Sequence, residues 1–202
     1  MAAACAIMQA MPTDTALPSL ADVRLHTPRL RLRPMHPDDA PALFAMHADA
    51  QFMRYWSGPP WTDLRQAQAQ IEADAPALAA GIHLRLAIEA EAGFVGTCSL
   101  FHLHRASRRA ELGYGIARPH WRRGYMREAV GALLAFAFGP LALNRVEADA
   151  DPRNLASCRA LEQLGFVREG LLRQRWIVGD EVSDTAFYGL LAADYKPLVT
   201  PA

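Results

Sequence analysis

Two strand-like runs, residues 110–117 and 145–150, are joined by a single amphipathic helix, and this unit constrains the fold more than any other feature of the chain. The helix is legible from Met126, Ala129, Val130, Leu133, Leu134 and Ala137, which recur on one face. It stops at Gly139-Pro140, a pair that ends helices. Two strands linked by a helix lie parallel, with a right-handed crossover. The loop into the helix carries Arg118, Arg122, Arg123 and Gly124, and Arg127 follows in the first turn. A helix that begins there leaves its first N–H groups without internal partners. Those donors and the positive end of the dipole suit a phosphate or pyrophosphate, and the arginines add full charges. Read alone, the segment also admits the lesser alternative of a solvated basic turn. It is not a Walker loop: no GxxxxGK(S/T) run occurs, and the only lysine is Lys196. A dinucleotide GxGxxG is also absent, because Gly113 and Gly115 fall inside the strand and Gly124 comes too late.

A second strand–turn–helix follows. After residues 145–150, Asn154 and Ser157 stand at a helix entrance, where Asn154 suits the N-cap. Leu155, Cys158 and Leu161 recur at helical spacing, and Gly165 sits where a left-handed C-terminal cap is expected.

Four pieces in this order resemble the GCN5-related N-acetyltransferases (GNATs). They are Thr27-Pro28-Arg29-Leu30-Arg31-Leu32-Arg33-Pro34 with Asp38-Asp39-Ala40, the strand from Ala110 to Ile116, Trp121-Arg122-Arg123-Gly124-Tyr125-Met126, and Asn154-x-x-Ser157 with Leu161-Glu162-Gln163-Leu164-Gly165-Phe166. The branch they are most similar to includes the ribosomal-protein N-terminal acetyltransferases. The resemblance implies an α/β fold: a mixed, mostly antiparallel sheet with a splayed parallel strand pair, flanked by helices. It implies acetyl-CoA as donor, CoA as product, and a primary amine as acceptor, with direct transfer in a ternary complex. The pantetheine arm would lie in the splay. Ile116, Ala117, Arg118, Arg122, Arg123, Gly124, Tyr125, Met126, Arg127, Asn154 and Ser157 would hold the cofactor. The domain is expected over residues 23–197, with tails at 1–22 and 198–202, and homodimers follow by family analogy alone.

Aminolysis of a thioester needs a neutral amine, and an alkyl amine of pKa near 10 is mostly charged at neutral pH. A general base then contributes roughly two to four orders of magnitude. Glu111 is the candidate base; it reads equally as a surface carboxylate paired with Arg109. Ser157 is the candidate acid or thiolate-stabilising hydroxyl, or an ordinary first-turn residue. Gly113 and Gly115 permit a bulge whose freed N–H would polarise the thioester carbonyl, or else relieve packing. The chain departs from the family pattern at Arg122 and Met126, where small residues are common, and at Glu162, where many relatives carry a tyrosine acid. A glutamate base on a later strand of the ribosomal branch is matched here by Trp176. No cysteine has a nucleophile's setting, so no acyl-enzyme is expected.

Acceptor binding is expected between the first helices and the last hairpin. Tyr55, Trp56 and Trp61 flank Gly58-Pro59-Pro60, forming aromatic walls or a local mini-core. A protein N-terminus or a small-molecule amine fits, and a non-catalytic acyl-CoA-binding protein is the non-enzyme alternative. His102 and His104 alternate on one side of a strand without a third ligand, so no metal is expected. The 202 residues fit one domain, and 21 basic against 21 acidic side chains argue against nucleic acid as a partner. Cys5, Cys98 and Cys158 lack paired spacing, consistent with a reducing cytoplasm. Residues 1–21 carry Pro12, Asp14 and Pro18 and lack a basic leader, so neither a signal peptide nor a membrane span is expected. Further elements are expected as a strand at 25–33, a helix opened by Pro37, and a helix capped by Thr62 with Ala67, Ile71 and Leu78 on its buried side. A hairpin of 175–178 and 182–190 about Gly179-Asp180 completes the set.

Overall fold

The computed structural model describes residues 19–198. Eight strands form one sheet: β1 (Leu25–His26), β2 (Arg31–Pro34), β3 (Leu84–Ala90), β4 (Gly93–His104), β5 (Arg109–Ile116), β6 (Arg145–Ala150), β7 (Val167–Val178) and β8 (Glu181–Leu191). Their order is β1-β2-β3-β4-β5-β6-β8-β7, antiparallel throughout except for β5 and β6. Four helices flank it: α1 (Ala40–Ala48), α2 (Leu64–Ala79), α3 (Tyr125–Phe138) and α4 (Leu155–Gln163).

Helix α3 buries Ala129, Val130, Leu133, Leu134 and Ala137 against the sheet, the face that its spacing predicts. The main core holds these with Leu84, Leu86, Ile88, Leu100, Val146 and Tyr188. A second cluster, Leu43, Met46, Phe52, Met53, Ala67 and Ile71, seats α1 and α2. Arg33 fastens that corner by bridging Asp39 (2.7 Å) and Glu89 (2.6 Å).

Several local expectations change. The strand expected at 25–33 is a hairpin: Thr27 Oγ1 accepts from Leu30 N at 2.9 Å, and β1 folds back on β2. The cap of α2 is Asp63, which accepts from Arg65 N at 2.9 Å, not Thr62. Ala67, Ile71 and Leu78 do line its buried side. On α4, Leu155 is 60% exposed and points away from the core, while Leu161 is fully buried. The last hairpin turns at Gly179 (φ 60°) as expected, but β7 begins at Val167. Leu20, on the tail side of the expected boundary, is fully buried in the core, and Leu198 packs against Gly131 of α3. Residues 1–18, including Cys5, and 199–202 lie outside the described residues. No helix among the described residues is long and apolar enough to cross a membrane.

Candidate active site

The α3 entrance is built to leave donors open. Gly124 occupies the N-cap in the left-handed region (φ 77°), which glycine adopts without a Cβ clash, and offers no side chain to cap the helix. Among the described residues, no protein acceptor faces the amides of Arg122 to Arg127; the first bond at this end is Glu128 N to Gly124 O at 3.2 Å. Arg122 is also left-handed (φ 62°) and, like Arg123 and Arg127, exposed. Three cations therefore ring a patch of free N–H groups. Arg118 is otherwise occupied: its Nε donates to Asp49 at 2.6 Å.

The loop is clamped from the β1–β2 hairpin. Glu128 accepts from Thr27 Oγ1 (2.6 Å), Arg29 N (3.0 Å) and Arg29 Nε (2.7 Å). Arg29 also donates to Arg123 O at 3.0 Å, and its guanidinium lies 5.1 Å from the Tyr125 ring centroid. Trp121 Nε1 donates to Ile116 O at 2.6 Å, and Ala117 N to Val95 O at 2.8 Å, so the end of β5 is pinned as well.

Pairing between β5 and β6 is short. It runs through Arg109↔Arg145, Ala110↔Val146 and Glu111↔Glu147, then ends. Beyond it, β5 is bonded only to β4, as far as Gly96↔Ile116, and β6 only to β8, as far as Ala150↔Ala186. The facing backbone edges are left without a sheet partner, a slot for an amide-bearing chain. The bulge expected at Gly113 and Gly115 is not there: β5 stays in register with β4 from Leu112 to Ile116. The irregularity sits on β4 instead, between Phe101 and His104, where His102 has φ 50°. The two glycines relieve packing. A Cβ on Gly115 would lie 2.6 Å from the Phe52 ring, and one on Gly113 2.8 Å from Ser99 Oγ.

On the helix side of the slot, Asn154 caps α4 by accepting from Ser157 N at 3.2 Å. Ser157 Oγ and the Tyr114 hydroxyl share a 2.8 Å hydrogen bond. Burial pushes the Tyr114 phenol up to about 12, with the Ser157 bond offsetting part of the rise. Cys158 turns away, its thiol 3.8 Å from Asp151 O. The sequence did not single out Tyr114, although the period-two alternation of β5 aims it opposite to Glu111, at α4.

A GNAT acetyltransferase domain model matches residues 29–167. The chain belongs to the GNAT acetyltransferase family. It is 33% identical over 173 residues to the uncharacterized N-acetyltransferase p20 of Bacillus licheniformis, covering 85% of this chain and 97% of that protein. A spermidine N(1)-acetyltransferase of Vibrio cholerae is 22% identical, covering 83% and 95%. Among solved structures, a GNAT-family acetyltransferase of Bacillus anthracis shares the fold at TM-score 0.75 and 21% identity, covering 85% and 99%. The ribosomal L7/L12 α-N-protein acetyltransferase RimL, in complex with coenzyme A, does so at 0.75 and 17%, covering 84% and 98%. This GNAT protein is therefore an acetyl-CoA-dependent N-acetyltransferase with CoA as product.

On the face away from α3 and α4, α2 packs on β3 and α1 on β4 of the GNAT sheet. Here Glu111 bonds His102 Nδ1 at 2.9 Å. Arg109, its expected partner, binds Glu147 instead at 2.9 Å. His104 accepts from Ser107 N, and no cluster of three metal-ligating side chains occurs among the described residues. Trp56, 37% exposed, lies over Gly115 with Phe52. Trp61 belongs to a half-buried mini-core, stacked on His47 at 4.2 Å. Tyr55 stands at the rim, 5.9 Å from the Arg153 guanidinium. Arg54 (3.0 Å) and Arg153 (2.6 Å) both bind Glu181, closing a clasp between the 49–63 loop and the β7–β8 turn.

Proposed function

We propose that the thioester of acetyl-CoA lies in the splay between β5 and β6, with its diphosphate on the α3 amides, and that the acceptor is the N-terminal amine of a protein or peptide. The observation that carries this reading is the two-sided slot. Hydroxyls of Ser157 and Tyr114 line the side facing α4, and Glu111 lies on the opposite face. Sulfur placed against the hydroxyls receives a proton as it leaves. The amine arrives from the carboxylate side and attacks directly, without an acyl-enzyme. Of the residues expected to hold the cofactor, Arg122, Arg123, Gly124, Tyr125, Met126 and Arg127 surround the diphosphate. Asn154 and Ser157 flank the pantetheine, Ile116 and Ala117 end its wall, and Arg118 is held back by Asp49.

The open face past Trp56 supports a peptide: Leu172 and Trp176 of β7 stay exposed on it, giving an extended apolar track rather than a closed pocket. Tyr55 and Trp56 are the aromatic contacts, with Trp61 supporting from beneath. A small polyamine is the second reading, favoured by the carboxylates on the same face. Release of free thiol from acetyl-CoA, measured against alanine- and serine-initiated peptides, spermidine and aminoglycosides, tests the acceptor. Turnover confined to peptides supports the first reading; turnover confined to spermidine overturns it. The unpaired thiols of Cys98 and Cys158 support a reducing cytoplasm as the place of action.

A further inference from the structure

Alternation sorts the walls of the splay. Past the last β5–β6 rung, Leu112, Ile116, Ala148 and Ala150 turn into the core beneath α3 and α4, and Tyr114 reaches Ser157. The opposite face receives Gly113 and Gly115 from β5 and only Asp149 from β6. Asp149 is thus the one ionisable side chain that the separated strands present to the acceptor. Its neighbours on that face are already engaged. Glu147 is bound by Arg109 (2.9 Å) and Arg145 (2.8 Å), and Glu111 by His102 (2.9 Å). Asp149 has no ion pair within 4.0 Å among the described residues; the residue keeps access to solvent, while β7 packs beside its carboxyl, which the Trp176 indole hydrogen-bonds.

We propose that Asp149 binds the ammonium group of the acceptor and takes its proton, the role that the sequence alone gives to Glu111. This rests on the thioester lying in the splay. One proton of R–NH3+ passes to the Asp149 carboxylate and on to solvent. The amine lone pair then forms the C–N bond and the C–S bond breaks. A second nitrogen proton is lost as the amide forms, and the sulfur gains one through the Tyr114–Ser157 hydroxyls; the third stays on the amide. Asp149 suits the task because packing around it pushes its carboxyl up from the ordinary value. The Glu111 charge on β5 adds to the rise, while Arg175 and the Trp176 indole on β7 offset part of it. His102 of β4 sits on Glu111, Glu147 shares the β6 face, and β8 places only Phe187 opposite. A base that titrates nearer neutrality transfers protons more effectively than an ordinary carboxylate.

The test is the pH dependence of kcat/KM for wild type, Asp149→Asn, Asp149→Glu and Glu111→Gln, with an alanine-initiated peptide and spermidine in parallel. Each variant's CoA affinity is measured too, and the wild-type CoA complex is crystallised. Asp149→Asn should lose about 10²-fold or more and flatten the acid limb, while keeping CoA affinity. Asp149→Glu should restore the limb. Glu111→Gln should keep the limb but move it to lower pH, because a like charge beside Asp149 has gone. A wild-type limb in Asp149→Asn, or a limb lost in Glu111→Gln, overturns the assignment; if Asp149→Asn does not fold, the Glu111→Gln limb decides. Sulfur found outside the splay overturns the site reading itself, whereas sulfur inside it with an unchanged Asp149→Asn profile overturns Asp149 alone.

Discussion

Tyr114 and Ser157 act as one unit if their shared hydrogen bond delivers the proton to sulfur. Ser157→Ala is then expected to lower kcat by about 10²-fold, far more than it weakens CoA binding. Tyr114→Phe should do the same, and the double variant should be little worse than either single one. Steady-state kinetics with calorimetric CoA titration checks this; a simple product of the two losses would contradict it. The local placement of several site residues was legible in the sequence. Gly124, Asn154 and Ser157 stand at helix entrances, where local chemistry alone fixes a residue's place. Tyr114 and Asp149 were not read, because their importance depends on where two strands part, a long-range property with no local signature. The pairing of Arg118 was hidden for the same reason: its partner Asp49 is distant in the chain.

Among the elements, the clamp on the α3 entrance matters most for cofactor capture. Glu128 gathers three hydrogen bonds from Thr27 and Arg29, holding the loop's amides in the spacing that a diphosphate needs. Glu128→Ala should raise the acetyl-CoA KM about tenfold, the equivalent of ~1.4 kcal/mol, and leave kcat nearly unchanged. Faster hydrogen exchange at residues 122–127 should accompany it; slow exchange with a normal KM would refute the clamp. Helix α3 and strand β6 were legible because apolar periodicity is strong where a face is buried. The first half of β7 was not, since an edge strand with most side chains in solvent carries no such pattern. The break of residues 25–33 into a hairpin depends on Thr27 closing a turn onto Leu30, a side-chain bond that strand alternation hides.

For the whole molecule, residues before the expected boundary take part in the core. Leu20→Ala should cost about 2–5 kcal/mol in denaturant unfolding, whereas a dispensable tail residue would cost almost nothing. Stability should also fall on acidification through half-buried histidine. Burial, reinforced by the Arg85 and His102 charges, pushes His83 down to about 4. The unfolded chain then binds its proton near pH 6.5 while the folded one refuses it until about 4, so stability rises with pH across that window. His47, desolvated in its aromatic cluster, contributes in the same direction. His83→Gln should flatten the dependence of Tm on pH between 4.5 and 6.5, and an unchanged slope would exclude this cause. Catalysis as proposed depends on backbone amides at the α3 entrance gripping the diphosphate while the thiol arm enters between β5 and β6. A titration of 15N-labelled protein with CoA, followed by amide chemical shifts, tests it most directly. The largest shifts are expected at residues 122–127, with a second set along 112–116 and 148–150; shifts confined to other parts of the sheet would rule this out.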